Sequence, residues 1–195
     1  TRNADAADWD DMEKCMSMVR CLHQSGITVA HSFDIRERIS FYEKLCRSHG
    51  ALLFEDYEEV RGWMDWLMDT LDSMEHPKCL CHIDANVDNF LFFEDGSVKL
   101  LDWEYAGMCD PVMDVSMCAI YSYYNEEDME RLFRLYLQRE PSEDELFALY
   151  ANAALGGFLW CLWAVYKSIL GDEFGEYTII MYRYAKKYYR KLRKL

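Results

Sequence analysis

Residues 79–107 read CLCHIDANVDNFLFFEDGSVKLLDWEYAG, and the periodicity of the chain changes within them. A short apolar run reaches Cys81, and a polar segment follows from His82 to Asn89. Phe90 to Phe93, a turn at Glu94, Asp95 and Gly96, and Val98 to Leu101 then read as a small β-hairpin with a polar loop before it. Helical patterns lie on both sides. Trp9, Met12, Met16, Val19 and Leu22 recur at three- and four-residue steps, with Asp8 as N-cap and Gly26 as the C′ residue. Ile35, Ile39, Tyr42 and Leu45 repeat the pattern before Gly50, and Tyr57, Val60, Met64, Leu67, Leu71 and Met74 repeat it before Pro77. Beyond the hairpin the spacing predicts helices over about 112–124, 126–139, 143–170 and 173–194, with Asn125 as one N-cap and Ser142 with Glu145 as a capping box. The expected class is α+β, predominantly helical, as one helix-rich lobe over 1–195.

Within the polar loop His82, Asp84 and Asn89 spell HxDxxxxN, and Asp102 follows the second strand. Phosphoryl transfer needs a carboxylate beside the attacking hydroxyl and oxygen ligands for the Mg²⁺ that neutralises the triphosphate. Asp84 suits the first task, and Asn89 with Asp102 the second, because magnesium prefers hard oxygen ligands. His82 completes the catalytic pair as a brace for the loop. The plain alternative is a polar loop whose Asp and Asn only make turns.

Composition narrows the field. The chain has 195 residues, 51 % of them hydrophobic and 29 % charged, with 3 Pro and 9 Gly, which excludes disordered and collagen-like classes. Net charge is −14, which argues against a nucleic-acid partner. The final 13 residues hold seven bases and no acid, so the first 182 carry −21. Tyr182, Tyr184, Tyr188 and Tyr189 are interleaved with those bases, so the tail reads as a last helix packed on an acidic body, with a membrane surface or RNA as the alternative. Eight cysteines show no secreted disulfide framework, so reduced thiols and a cytoplasmic location are expected. Cys79, Cys81 and His82 suggest a zinc set. With alternate strand residues facing opposite ways and no second cysteine pair at ligand spacing, core thiols are the expectation. No unbroken run of eighteen apolar residues and no signal peptide is seen, so no membrane insertion is expected.

On the HxDxxxxN loop and Asp102 the sequence resembles the choline kinase and aminoglycoside phosphotransferase family, over about residues 12–190. It is most similar to choline kinases, through LLDWEYAG, DPVMDVS and FLWCLWAVYKS. The resemblance implies the C-terminal lobe of a protein-kinase-like fold, with Asp84 as catalytic base, Asn89 and Asp102 as Mg²⁺ ligands beside ATP, and Asp114 holding the loop by hydrogen bonds. It also implies a small-molecule substrate. A quaternary ammonium cannot donate a strong hydrogen bond and is held by ring faces and carboxylates. Trp160 and Trp163 lie one helical turn apart, while Trp103, Tyr105, Tyr121, Tyr124 and Tyr177 offer further walls and Glu104 adds negative charge. Ordinary core packing is the alternative for the paired tryptophans. No glycine-rich phosphate loop or strand lysine is present, so the N-terminal nucleotide lobe is expected to be missing and this fragment alone inactive. Glu176 and Ile179 fall where choline kinases often carry tyrosines. Ethanolamine or an aminoglycoside is the alternative acceptor, and a non-catalytic lobe binding a quaternary ammonium ligand or a protein partner is the alternative class.

Overall fold

The computed structural model describes residues 1–51, 54–74 and 77–194. The chain forms two compact units, each assembled from separated segments: Thr1–Phe33 with His76–Leu149, and Asp34–Glu75 with Tyr150–Leu195.

In the first unit, α1 (Trp9–His23) starts where the Asp8 carboxylate accepts from Asp10 N at 2.9 Å. The apolar stripe Met12, Cys15, Met16 and Val19 is fully buried. Asp11 on the same face is also buried and receives the Arg2 guanidinium, which holds its carboxyl below the ordinary value. That ion pair sits beside β1 (Arg2–Asn3), which pairs antiparallel with β3 (Phe90–Phe92). β3 in turn pairs with β4 (Val98–Leu100), with Phe90 opposite Leu100. β2 (Cys79–Cys81) pairs antiparallel with β5 (Gly107–Cys109). Gly107 admits a close neighbour: a Cβ there would lie 2.9 Å from Phe33 N. α4 (Val112–Tyr121) is buried from Val112 to Ile120, and α5 (Glu126–Leu137) starts at Asn125, whose side chain accepts from Asp128 N. Arg20 of α1 donates to the Leu135 and Tyr136 carbonyls, satisfying the end of α5.

In the second unit, α2 (Ile35–Ser48) is capped by Asp34, and α3 (Tyr57–Asp72) packs against α7 (Tyr177–Leu192). The predicted basic–aromatic final helix takes this form. Trp63 stacks on Tyr189 at 4.6 Å, Phe54 on Tyr182 at 3.9 Å, and Arg190 lies over Trp63 at 5.5 Å. Asp56 accepts from both the Tyr182 hydroxyl and the Lys186 ammonium. α6 (Glu143–Ile169) opens on the predicted capping box: Glu145 N donates to Ser142 Oγ and Ser142 N donates to the Glu145 carboxylate. Its residues from Tyr150 onward belong to the second unit. Gly157 admits α7, since a Cβ would meet Met181 O at 2.7 Å.

Several expectations are corrected. The fourth helix stops at Tyr121 and not at 124, because Tyr123 is left-handed at φ 56°. The last begins at Tyr177 and not at 173, because Gly175 at φ 53° precedes it. β1 and β5 have two and three residues, too short to show a period. α6 is long and apolar enough by composition to cross a membrane, although its apolar residues form no unbroken run. In the structure 83 % of its most apolar window is buried inside the protein, as in a core helix.

Candidate functional site

The loop after β2 is built around a buried carboxylate. Asp114 is fully buried on α4, and its oxygens accept from His82 N at 2.8 Å, Ile83 N at 2.6 Å and His23 Nε2 at 3.0 Å. Ile83 is buried and left-handed at φ 71°. A β-branched residue adopts that region only under strain of about 1–3 kcal/mol. The bond from its N–H to Asp114 holds the turn that presents the next residue, Asp84.

The HxDxxxxN residues converge. Asn89 Nδ2 donates to the Asp84 backbone carbonyl at 2.8 Å and to its carboxylate at 2.9 Å, and Asn86 Nδ2 reaches the other carboxylate oxygen at 3.3 Å. Burial raises the Asp84 pKa above the ordinary value, while hydrogen bonds from Tyr121, Asn86 and Asn89 favour the ionised form. Asn89 ends a 3₁₀ turn, Val87–Asn89, that leads straight into β3. Its carbonyl accepts from Leu101 N at 2.9 Å, so the backbone brings residue 89 to the end of the hairpin where Asp102 follows. Asp102 is exposed and left-handed at φ 61°, a conformation aspartate tolerates. Asn89 spends its amide nitrogen on Asp84, so Oδ1 is the donor atom it can offer a cation, and the Asp102 carboxylate follows at the hairpin end. Such hard oxygen donors fit Mg²⁺.

His82 does not reach a reacting position. Its ring is fully buried, Nε2 donates to Leu101 O at 2.7 Å, and Trp103 meets it edge-on at 4.9 Å. It ties the loop to the strand end that carries Asp102, which is bracing.

The aromatic residues divide by unit. In the first, Trp103 is 44 % exposed with Nε1 donating to Leu100 O, and Glu104 is exposed beside the half-buried Tyr105. Tyr121 is half-buried and hydrogen-bonded to Asp84. Tyr124 departs from the predicted wall: its ring stacks on Trp9 at 5.3 Å and its hydroxyl donates to Ala6 O at 2.5 Å, so it packs α1. In the second unit Trp160 is buried at 3 % exposure, edge-on to Trp163 at 5.9 Å. The half-buried Trp163 contacts Phe174 at 5.0 Å, and Phe174 lies 6.2 Å from Tyr177. Trp160 is therefore mainly a core support, with Trp163 and Tyr177 the more open rings. Sequence reasoning missed Phe174, which the predicted 173–194 helix took in but which lies ahead of α7, and Asp114's partner His23, which no local motif marks.

Comparison with known proteins fits this arrangement. Residues 13–149 match the model of the phosphotransferase enzyme family, and the chain belongs to that family. Protein LicA from two Haemophilus influenzae strains is 23 % and 27 % identical over 180 and 178 residues, each covering 86 % of this chain. The chain spans 52 % and 66 % of those relatives' lengths. Choline kinase LicA from Streptococcus pneumoniae superposes with a TM-score of 0.84 at 26 % identity, over 97 % of this chain and 67 % of that one. A LicA structure in complex with AMP gives 0.85 at 26 % identity, over 97 % and 66 %. Mouse ethanolamine kinase 1 is 26 % identical over 151 residues, 63 % of this chain and 42 % of its own. The fold is that of the choline kinase and phosphotransferase group.

Proposed function

We propose that this chain carries the catalytic residues of a choline kinase, moving the γ-phosphoryl group of MgATP to the choline hydroxyl. The observation that carries the reading is the Asp84 carboxylate, partly desolvated and aimed by Asn86 and Asn89 at the end of a loop pinned to Asp114. Asp84 orients the choline hydroxyl and takes its proton as the oxygen bonds to the γ-phosphorus; the bridging P–O bond breaks and ADP leaves with the electron pair. Asn89 and Asp102 would hold Mg²⁺, which supplies charge neutralisation for the transferring group. His82 and Asp114 keep the loop in place, so catalysis is positioning within a largely preformed polar frame.

Choline is favoured over ethanolamine by the similarity to LicA and by the rings of Trp103, Tyr105 and Tyr121 in the unit that carries Asp84. Three methyl groups call for ring faces, whereas a primary ammonium calls for carboxylates and carbonyls. Ethanolamine is the second reading, favoured by the match to mouse ethanolamine kinase 1. The test is turnover of the native full-length protein with each amino alcohol. Higher kcat/KM with choline and loss of turnover in Asp84→Asn with choline binding retained are expected. A preference for ethanolamine retires the choline assignment, and an active Asp84→Asn enzyme retires the catalytic one.

A further inference from the structure

The pairing of β2 gathers a set of soft ligands that the phosphotransfer reading does not use. Residues two apart on a strand share a face, so Cys79 and Cys81 point the same way, which corrects the expectation of separated core thiols. Their sulfurs are 3.8 Å apart. His23, at the end of α1, brings a ring nitrogen to the same place, and the three ligand atoms lie within 4.8 Å of one another. Cys109 stands opposite Cys79 in the β2–β5 register, and the Cys81 thiol donates to its backbone carbonyl at 3.5 Å. The imidazole is almost fully enclosed, Cys81 is buried and Cys79 half-buried.

We propose that His23, Cys79 and Cys81 bind one thiophilic cation of the zinc class. Zinc–sulfur bonds of about 2.3 Å at tetrahedral angles place two sulfurs about 3.8 Å apart, the separation already present. A disulfide fits far less well. Strand residues two apart have Cα atoms about 6.6 Å apart, with the parallel Cβ atoms about equally separated, against the roughly 3.5–4.5 Å a disulfide needs. The outer partners are also in place. His23 Nε2 meets the Asp114 carboxylate at 3.0 Å and Nδ1 meets the Tyr136 hydroxyl at 2.9 Å. Whichever nitrogen turns to the ion, the other keeps a partner that fixes the ring, as metal-bound histidines require.

The site is distinct from the oxygen donors Asn89 and Asp102, so the proposal stands or falls separately from the phosphotransfer reading. The reduced, chelator-treated chain is titrated with Zn²⁺ against a chromophoric competitor, and Cd²⁺ is added to read sulfur-to-metal charge transfer in the ultraviolet. One equivalent is expected to bind with a thiolate band, lost in Cys79→Ser and Cys81→Ser and kept in Cys21→Ser and Asp102→Ala. Site-resolved alkylation of the unmutated chain adds a readout independent of variant folding: Zn²⁺ should slow modification of Cys79 at least tenfold while exposed Cys21 reacts unchanged. No retained ion, a thiolate band unchanged in folded Cys79→Ser and Cys81→Ser, or equal protection of Cys21 and Cys79 would overturn the proposal.

Discussion

The two compact units use opposite means to hold their side chains. In the first, a buried carboxylate organises a strained loop through directed hydrogen bonds: Asp114 takes His82 N, Ile83 N and His23 at once. In the second, helices α3, α6 and α7 are held by stacked rings, close backbone approach and cations over aromatic faces. A polar centre fixes positions to fractions of an ångström but depends on every member. Aromatic packing spreads its energy over many contacts of about 0.5–1.5 kcal/mol each and tolerates the loss of one.

Substitutions at each centre test that contrast. The largest effect is expected from Asp114→Ala, which leaves two buried backbone donors and His23 without their acceptor. Breaking such a buried charged centre costs about 3–5 kcal/mol. Urea unfolding should register that loss, with turnover falling by more than about a hundredfold as the loop loses its aim; a milder outcome than a single ring truncation would break the comparison. Next is Gly157→Ala, whose new Cβ would press on Met181 O at 2.7 Å and Tyr184 Cβ at 3.0 Å. Overpacking of this kind costs about 1–3 kcal/mol, and a lowered melting temperature should report it. Trp63→Leu, which removes the stack on Tyr189 and the ring under Arg190, should cost only about 1 kcal/mol; a loss as large as that of Asp114→Ala would show the second unit to be no more tolerant than the first.

The smallest expected effect concerns the start of α6. Glu145 accepts from Ser142 N and pairs with Arg139 at 2.7 Å, and the Arg139 bond is the main cause that lowers its pKa from 4.5 to about 2. A depressed carboxyl contributes stability that is present above the unfolded value and lost as pH falls through the folded one, here between about 4.5 and about 2. The Arg139 partner is exposed and screened by solvent, so the contribution is the smallest of the four. The difference in stability between the native chain and Glu145→Gln should shrink across that window, and a difference independent of pH would remove the assignment.

Much of the catalytic loop is legible in the residues themselves, because HxDxxxxN is a local spacing and the hairpin after it is marked by two short apolar runs around the Glu94–Gly96 turn. The helices are legible for the same reason: Asp8, Asn125 and Ser142 cap where side-chain chemistry dictates. Other features are set at a distance. Tyr124 carries the same ring as Tyr121, three positions further along, yet one packs on Trp9 and the other bonds Asp84. Trp160 and Trp163 share a face in the sequence but differ in burial, and Phe174 joins Trp163 from an irregular segment.

The amino-acid order alone determined the helices, their caps, the hairpin and the loop that carries Asp84, since backbone propensity and short-range hydrogen bonding act within a few residues. Tertiary structure decided which distant groups meet: His23 with Cys79, Cys81 and Asp114, and Arg2 with Asp11. Those contacts join segments separated by many residues or by an irregular turn, and their burial energies depend on three-dimensional packing that no one-dimensional period records.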